Sequence, residues 1–411
     1  MHEQRNIRFG VSALAHLTNS ALPNSAAVRN DSPQIPILHI VDALQLGGGE
    51  IHCMRLAQAL NDGRFVSHIA YFGDALGNAT AKLTTLRIQK KPHRLASFRS
   101  FYSIWQISRY LRKNKIQLIH TYLYSSHLLA VIAATLARVK VIEHVHDYRY
   151  YDRKTAKAIW GIHTNHYRFV HLAGSLASKT IVLTPECLAS AIAGNRRSRR
   201  SIALLPNGVP SPEKKKPKAA ALRESLGGED AKIFLTACRL TKTKNVALAI
   251  RALALARQEV DSIVLIIAGE GPEMSQLQSL SKELRVHENI RFVGPSDHVT
   301  ELLAESLALL HPSLIELNSL SILEAMSCGV PPIAFGKPSG NRLLIRNMSN
   351  GILVESTNAS DWAHAMLMLA RDQHLARRLG DEAQTQATSS FTLAGHAAAI
   401  KAIYWSTLNA P

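Results

Sequence analysis

Two glutamates bracket Glu316-Leu-Asn-Ser-Leu-Ser-Ile-Leu-Glu324, a segment that runs directly into Ala325-Met-Ser-Cys-Gly-Val-Pro331. In an α-helix the step from the first carboxylate to the second turns through roughly 800°, a little over two turns. A strand-to-helix turn can therefore bring Glu316 and Glu324 to one side of a cleft. The alternative is that both are solvent-facing carboxylates on a surface helix, which is the common situation for glutamate.

A short apolar run, Leu307-Ala-Leu-Leu-His-Pro-Ser313, precedes this pair and is stopped by Pro312. The pattern predicts a buried parallel strand rather than a helix. Asn318, Ser319 and Ser321 follow, and these residue types commonly cap helices. We therefore expect backbone N–H groups at the helix start to point into the space beside the first glutamate, where they would form a phosphate site.

Length and charge predict two domains and an anionic partner. A chain of 411 residues with 46% apolar residues exceeds the usual limit of one core. The net charge of +18 is uneven, because residues 1–210 carry 27 Lys+Arg against 10 Asp+Glu and the rest carries 21 against 20. This asymmetry favours a membrane surface, a phosphorylated lipid, an anionic glycan or nucleic acid at the first half. The sequence has no zinc-finger spacing and no RNA-binding aromatic signature, so membrane or lipid phosphate is favoured over nucleic acid.

The cysteines and the apolar runs predict a cytosolic protein with at most peripheral membrane contact. The four cysteines are scattered without a Cys-x-x-Cys pattern, which is typical of reduced core thiols: Cys53, Cys187, Cys238 and Cys328. The longest apolar runs, such as Leu128–Ala137, are far shorter than the roughly 20 residues that span a bilayer. Residues 1–33 contain an apolar stretch diluted by Ser and His, and we expect a disordered extension rather than a secretory signal.

The first domain opens with a strand, a glycine turn and a helix. Ile35–Val41 is a buried strand pattern, and Gln45-Leu-Gly-Gly-Gly-Glu50 leads into a helical pattern that ends at Leu60. Glycines at such a turn let the backbone approach a ligand closely, and the helix start favours an anion. Glycine turns are also common between any strand and helix, and this one lacks the third glycine of a dinucleotide-binding turn.

Two further strand patterns, Gln117–His120 and Val139–His144, each end in histidine, and the second continues to His146 and Asp147. Ligands bind at strand ends in open α/β sheets. With 19 histidines in the chain, most must be structural, so any single one is a weak candidate.

An aromatic and basic segment, Arg94–Lys115, predicts an amphipathic helix. Phe98, Phe101, Ile104, Trp105, Ile107 and Leu111 recur at helical spacing beside six basic residues. Such a helix can lie at a bilayer interface. The alternative is that the stripe is core and the charges form a solvated face.

The second domain opens with Lys232–Cys238, a strand pattern that delivers Arg239 and Lys244 into one loop before a helix. The two cations can clamp an anion, the first as a bidentate fork and the second as a point charge. The alternative is a pair of exposed cations. Ser262–Ala268 and Ile290–Gly294 are further strand patterns, and Pro331–Phe335 is another.

The order of these motifs over about residues 35–390 resembles family 4 of the retaining glycosyltransferases, which have the GT-B fold. That family carries a Glu-x7-Glu signature, which Glu316 and Glu324 match. The resemblance implies that Glu316 contacts hydroxyls of the donor sugar and that Glu324 contacts the nucleotide ribose. Gly48, Gly49 and Glu50 match the family's first-loop turn.

The resemblance implies roles for other positions too. Arg239 and Lys244 would bind the donor diphosphate, the loop around Val293 would meet the base, and His146 would lie near the reacting sugar. The helix-start donors are Asn318, Ser319 and Leu320. The sequence departs from the family pattern at Cys238, where glycine is usual, and at Gly340-Asn-Arg-Leu-Leu344, which lacks a carboxylate that many relatives carry.

The implied architecture is α/β, with two Rossmann-like domains facing across a cleft. The expected parts are an extension (1–33), an acceptor domain (34–209), a nucleotide-sugar domain (210–390) and a final helix crossing back to the first domain (391–411). The implied reaction is retaining transfer of a hexose from a UDP- or GDP-sugar to a hydroxyl of a glycan or lipid-linked acceptor, in surface polysaccharide or glycolipid synthesis. We expect a cytoplasmic enzyme, with contact to the anionic inner face of a membrane as an additional expectation and no nucleic-acid partner.

No Asp-x-Asp motif occurs in the sequence, so we expect no metal requirement and no cofactor. Arg239, Lys244 and helix-start N–H groups would neutralise the charge that grows on the leaving diphosphate. Three alternatives stay open: a nucleotide-sugar 2-epimerase of the same fold, a non-catalytic nucleotide-sugar-binding protein, and a nucleic-acid binder that would explain only the charge.

Overall fold

A computed structural model describes residues 34–41, 48–72, 84–88, 98–122, 124–146, 175–195, 201–212, 228, 230–296 and 298–410. The expected extension (1–33), Gly47 and Asp147 lie outside these residues. The chain divides into two compact units. Unit 1 comprises Met1–Asn207 with Leu393–Pro411, and unit 2 comprises Gly208–Thr392.

Thirteen strands are present in the described residues. They are β1 (Ile35–Val41), β2 (Phe65–Phe72), β3 (Thr84–Ile88), β4 (Leu118–Thr121), β5 (Lys140–His144), β6 (Lys179–Val182), β7 (Ile202–Leu204), β8 (Lys232–Ala237), β9 (Ile263–Ala268), β10 (Ile290–Gly294), β11 (Ala308–His311), β12 (Pro332–Phe335) and β13 (Ile352–Val354).

Twelve α-helices accompany these strands in the same residues. They are α1 (Gly48–Leu60), α2 (Phe98–Lys113), α3 (Tyr124–Ala137), α4 (Pro185–Asn195), α5 (Val246–Ala256), α6 (Met274–Glu283), α7 (Val299–Ala304), α8 (Leu320–Ser327), α9 (Ser339–Leu344), α10 (Ala359–Arg371), α11 (Gln373–Ser390) and α12 (Leu393–Leu408).

Unit 1 is built on a seven-stranded parallel sheet in the order β3-β2-β1-β4-β5-β6-β7. Successive side chains of a strand point to opposite faces, so Ile37 and Leu38 of β1 enter two different apolar cores. The core that contains Ile37 also contains Ile400 and Tyr404 of α12. The last helix of the chain therefore belongs to the first sheet.

Unit 2 is built on a six-stranded parallel sheet in the order β10-β9-β8-β11-β12-β13. Apolar cores cover both faces of this sheet, with Phe234 of β8 in one and Ile233 and Leu235 in the other. Strands buried on both faces are nearly continuous apolar runs, as the sequence of β9 illustrates. In both units the carboxyl ends of the strands meet at one edge of the sheet, where ligands bind in open α/β sheets.

The strand patterns around β1, β4, β5, β8, β9, β10, β11 and β12 are confirmed. The sequence pattern over Asp361–Gln384 predicts one helix, and this prediction is wrong, because α10 ends at Arg371 and α11 begins at Gln373. Between them the Asp372 carboxylate accepts a hydrogen bond from the backbone N–H of Leu375 (2.9 Å) and caps the second helix.

Candidate functional site

A partly buried ion pair lies at the carboxyl end of the unit 2 sheet. Lys244 Nζ donates to Glu316 Oε2 over 2.7 Å, and His311 Nε2 lies 3.0 Å from the same oxygen. The side chains of Lys244, Glu316 and His311 are 22%, 13% and 3% exposed, so the carboxylate is enclosed by its two partners. His311 ends β11, and Lys244 ends a short 3₁₀-helix after β8. We call these three residues the Lys–Glu site.

Pairing keeps both charges of the Lys–Glu site in place despite burial. Burial alone would raise the pKa of Glu316, but the Lys244 charge and the two hydrogen bonds lower it to about 2. For Lys244, burial lowers the pKa, but the Glu316 charge, Cys238 and the hydrogen bond to Glu316 together outweigh burial, so the net shift is upward. Burial lowers the pKa of His311, with Glu316 opposing that shift. The site therefore holds a carboxylate beside an ammonium near neutral pH.

The N-terminus of α8 follows Glu316 directly. Ser319 is the N-cap residue, and its hydroxyl accepts a hydrogen bond from Ile322 N (3.3 Å). Ser321 Oγ donates to Ala237 O (2.7 Å), which ties the helix start to the end of β8. Leu320 is the first helical residue, so the helix begins where the cap-type residues predict it, and Asn318 and Ser319 are buried. The second glutamate, Glu324, lies half-buried on α8.

The loop that carries Arg239 is held by two glycines. Cys238 N and Leu240 N donate to Ala268 O (3.0 Å) and Glu270 O (2.8 Å). Gly269 and Gly271 have φ values of +142° and +157°, and an added Cβ would lie 1.9 Å from Cys238 O and 2.3 Å from Leu240 O. Only glycine fits there without moving the backbone.

Arg239 itself is exposed, and its positive charge lowers the pKa of Lys244. Val293 of β10 is 40% exposed, and the next residue, Gly294, accepts a hydrogen bond from Gly269 N (2.7 Å). The segment that departs from the family pattern forms α9, where a Cβ on Gly340 would lie 2.0 Å from Leu317 O. The start of α9 therefore packs directly on the backbone beside Glu316.

Unit 1 contains a second cluster of titratable groups, at the ends of β4 and β5. His52 of α1, His144 of β5 and His146 each offer one nitrogen, and these atoms lie within 4.8 Å of one another. We call these three residues the histidine pocket. Gly48 and Gly49 begin the same helix that carries His52.

Three more buried histidines surround the histidine pocket. The ring of His396 lies 4.9 Å from that of His52, and its Nδ1–H donates to Pro206 O (2.8 Å). The His120 ring stacks 5.4 Å from His144, and its Nδ1 is hydrogen-bonded to the Tyr404 hydroxyl (2.7 Å). The ring of His39 adjoins that of His120, with 5.5 Å between the His39 and His120 ring centroids.

Burial keeps these six imidazoles neutral near neutral pH. It lowers the pKa of His39 and His146 to about 3 and that of His396 to about 4. The pKa values of His52, His120 and His144 also fall well below 6.5, first through burial and then through neighbouring histidines. The histidine pocket is therefore polar but uncharged.

The structure groups the predicted site residues within each unit. In unit 2 it places Lys244 and Glu316 in direct contact beside the start of α8. Gly48, Gly49 and His146 belong to unit 1. Sequence reasoning missed His311, although the strand-end rule that selected His120 and His144 applies equally to the Leu-His-Pro end of β11.

Sequence reasoning also missed His52 and His396. Neither lies at a strand end, so the pattern that selected the other histidines could not select them. Both are brought to the cluster by the packing of α1 and α12.

Two family models match the chain. The model described as Glycosyl transferases group 1 matches residues 218–386, and the model described as Glycosyltransferase Family 4 matches residues 46–211. Together they cover most of both units.

Three curated relatives are similar to parts of the chain. Exopolysaccharide phosphotransferase SCO2592 of Streptomyces coelicolor is 35% identical over 46% of this chain and 19% of its own length. N-acetyl-alpha-D-glucosaminyl L-malate synthase of Bacillus anthracis is 32% identical over 44% and 47%. The Escherichia coli UDP-Gal:alpha-D-GlcNAc-diphosphoundecaprenol alpha-1,3-galactosyltransferase is 26% identical over 66% and 71%. The chain thus spans less than half the length of the first two relatives.

Among solved structures, Anabaena HepE in complex with UDP and glucose superposes with a TM-score of 0.79 at 19% identity, covering 91% of this chain and all of that one. The two parallel-sheet units therefore form the GT-B fold. With the two family matches, the chain belongs to glycosyltransferase family 4.

Proposed function

We propose that the protein is a retaining glycosyltransferase that moves a hexose from a UDP- or GDP-sugar to a hydroxyl of a glycan or lipid-linked acceptor. The observation that carries this proposal is the Lys–Glu site beside the N-terminus of α8. An enclosed carboxylate suits sugar hydroxyls, and an ammonium with helix-start N–H groups suits a diphosphate.

In this proposal Lys244 and Arg239 bind the donor diphosphate. Lys244 is already held in place by Glu316, so it loses little conformational entropy when the donor binds. Arg239 is exposed and free to close on the phosphates as a bidentate fork. The N–H groups of Asn318, Ser319 and Leu320 add fixed donors, and stabilisation of developing charge by such donors is usually the largest catalytic contribution.

Glu316 would orient the hexose through its hydroxyls rather than attack it. Its anionic form is retained near neutral pH, because its pKa is lowered to about 2. Retention would then follow front-face attack, with the leaving phosphate accepting the acceptor's proton. For unit 1 the proposal keeps the roles that the family resemblance implies, donor contact for Gly48 and Gly49 and proximity to the reacting sugar for His146. Glu324 and Val293 would contact the nucleotide ribose and base.

The diphosphate charge would be neutralised by side chains and N–H groups without a metal ion. Two observations support this part of the proposal: the cations Arg239 and Lys244, and the absence of an Asp-x-Asp motif from the sequence. Activity that EDTA abolishes and Mn²⁺ restores would contradict this part of the proposal.

A lipid-linked acceptor is the proposed substrate class, in surface polysaccharide or glycolipid synthesis. The Escherichia coli relative is named for a diphosphoundecaprenol acceptor. The first 210 residues of this chain carry 27 basic against 10 acidic residues, which suits a phosphorylated lipid. The four free cysteines fit a reducing cytoplasm.

No helix in the described part of the chain is both long and apolar enough to cross a bilayer.

We also propose that α2 contacts the anionic inner face of a membrane. One face of the helix is core, with Ile107 and Leu111 buried. The aromatic residues Phe101 (65%), Tyr102 (42%) and Trp105 (52%) are exposed. Cations adjoin them: the Arg109 guanidinium lies 5.4 Å from the Trp105 ring, and Arg112 and Lys113 form the last turn. Exposed aromatic rings beside cations are typical of helices at a charged bilayer surface.

Vesicle co-sedimentation tests this membrane contact. We expect binding to vesicles with anionic lipid, little binding to neutral vesicles, and a loss of about tenfold for the double variant Phe101→Ala/Trp105→Ala. Leu255→Ala removes a 38% exposed apolar side chain from unit 2 and serves as control. Equal binding of all variants would exclude α2 as the contact.

Product analysis tests the proposed function. Radiolabelled UDP- and GDP-hexoses are incubated with polyprenyl-diphosphate sugars, and the product is separated and its anomeric configuration determined by NMR. We expect label in the acceptor with the donor's anomeric configuration. Label in the 2-epimer of the donor sugar, with none in the acceptor, would identify a 2-epimerase instead, and the absence of any nucleotide-sugar affinity would exclude a transferase.

A further inference from the structure

The histidine pocket leaves more nitrogens unsatisfied than a neutral core normally tolerates. Nε2 of His52, Nε2 of His146 and both ring nitrogens of His144 are buried without a hydrogen-bond partner in the described part of the chain. His52 and His144 are each only 1% exposed. Leaving a buried polar group unsatisfied costs about 1–3 kcal/mol. Four such nitrogens in one pocket therefore point to a ligand that accepts several lone pairs at once.

We propose that His52, His144 and His146 bind a divalent transition-metal ion of the zinc class. Imidazole nitrogens suit Zn²⁺, Cu²⁺ and Ni²⁺, whereas Mg²⁺ and Ca²⁺ require oxygen ligands. Three imidazoles with a fourth position open to water form a recurrent zinc ligand set.

The distances permit coordination after a small closure of the rings. The three ligand nitrogens lie within 4.8 Å of one another. Nitrogens at about 2.0–2.1 Å from a tetrahedral zinc ion are about 3.3 Å apart. The rings need to approach by at most about 1.5 Å, which rotations about the side-chain bonds of His52 and His146 can supply.

The surroundings resemble the outer shell of a metal site. His396 donates its Nδ1–H to the Pro206 carbonyl, which fixes its tautomer and leaves Nε2 as an acceptor. Its ring lies 4.9 Å from that of His52, and its Nε2 has no hydrogen-bond partner in the described residues. It can accept a hydrogen bond from a metal-bound water.

The ion would regulate the proposed transfer rather than catalyse it. His146 is expected beside the reacting sugar, and coordination would occupy its nitrogen. Zn²⁺ should therefore slow transfer, whereas EDTA should leave transfer intact. This consequence rests on the proposed function, but metal binding itself does not, since it is measured without any sugar.

Two measurements on the full chain, freed of any polyhistidine tag and of metal, test the proposal. Titration calorimetry with Zn²⁺ should give one equivalent per chain. Titration with Co²⁺ should give the intense visible absorption of four-coordinate cobalt with imidazole ligands. The cobalt spectrum is recorded on the wild type, so the folding defect of a variant cannot affect it.

Substitutions of single histidines identify the residues that bind the ion. His52→Gln and His144→Gln should each weaken binding about 100-fold while circular dichroism stays unchanged. His364→Gln, which removes an exposed imidazole on α10, should leave binding intact. The proposal is overturned if the wild type binds neither ion, or if the cobalt spectrum is that of a six-coordinate ion. It is also overturned if only substitutions of exposed histidines weaken metal binding, which would indicate an adventitious ion only.

Discussion

The Lys–Glu site of unit 2 and the histidine pocket of unit 1 both bury titratable side chains at the carboxyl ends of parallel strands, with opposite results. In unit 2, the Lys244 charge and two hydrogen bonds offset the burial of Glu316, so the ions persist. In unit 1, histidines surround histidines, and burial suppresses their charge. Pairing, rather than burial, therefore decides whether a buried group keeps its charge.

This difference matches two kinds of ligand. A charged and preorganised site suits the diphosphate and the hydroxyls of a donor. A neutral pocket with unsatisfied nitrogens suits uncharged hydroxyls or a soft cation. The predictions below test the contrast from its largest consequence to its smallest.

Acid should unfold unit 1 before unit 2. Unfolded histidines take up protons near pH 6.5, whereas the buried ones resist protonation down to about pH 3–4. Because the folded pKa is the lower one, unit 1 is fully stabilised above pH 6.5. As the pH falls through this window, the free energy of unfolding of unit 1 decreases by about 1.4 kcal/mol per pH unit for each such histidine.

The Lys–Glu site loses its stabilisation only at lower pH. The pKa of Glu316 falls from 4.5 unfolded to about 2 folded, so its contribution is present above pH 4.5 and lost toward pH 2. Hydrogen exchange at pH 7 and pH 5, corrected for intrinsic rates, should show β4 and β5 losing protection while β8 and β11 keep it. If β8 and β11 lost their protection at a higher pH than β4 and β5, the contrast between the two units would be refuted.

Lys244→Ala should slow transfer about 1,000-fold. The variant removes the cation beside the leaving diphosphate and leaves Glu316 enclosed without its counter-charge. Lys242→Ala, which removes an exposed lysine from the same 3₁₀-helix, is the matched control. Transfer from a radiolabelled nucleotide-sugar is the measurement, and near wild-type rates for Lys244→Ala would remove this residue from the site.

His311→Phe should lower kcat about tenfold, because the ring then no longer donates to Glu316 Oε2. His311→Gln keeps an N–H donor at that position and should restore most of the rate. Steady-state kinetics of both variants is the measurement. A near wild-type rate for His311→Phe would show that the ring only fills space.

Ser319→Ala should destabilise unit 2 by about 1 kcal/mol, because the start of α8 loses its N-cap hydrogen bond. The unfolding temperature should fall by about 2–4 °C. Ser389→Ala, at an exposed position near the end of α11, should change it little. Thermal unfolding followed by calorimetry compares the two, and equal midpoints would exclude Ser319 as the cap.

Much of the fold could be predicted because buried parallel strands leave continuous apolar runs, as in β9 and β11. Strands β3, β7 and β13 were not predicted. The last two have three residues each, and four of the five residues of β3 lie outside the core, so none carries a clear apolar signal. The break at Asp372 was missed because a helical pattern continues on both sides of it.

The site could be predicted where residues are close in sequence, as for Glu316 and the helix that follows. Its ionic partner is remote: Lys244 is 72 positions away in the chain, and the contact depends on β8 and β11 being neighbours in the sheet. The histidine pocket depends on the ring of His52 in α1 lying beside that of His144 at the end of β5, which no local pattern encodes.

The central claim is that unit 2 binds the diphosphate of a nucleotide-sugar through Lys244. The most direct test is titration calorimetry with UDP- and GDP-sugars in the presence of EDTA, on the wild type, Lys244→Ala and Lys242→Ala. The account predicts that one of these sugars binds the wild type, that Lys244→Ala weakens binding about 100-fold, and that Lys242→Ala has little effect. Binding that ignores Lys244, or no binding of any nucleotide-sugar, would contradict it.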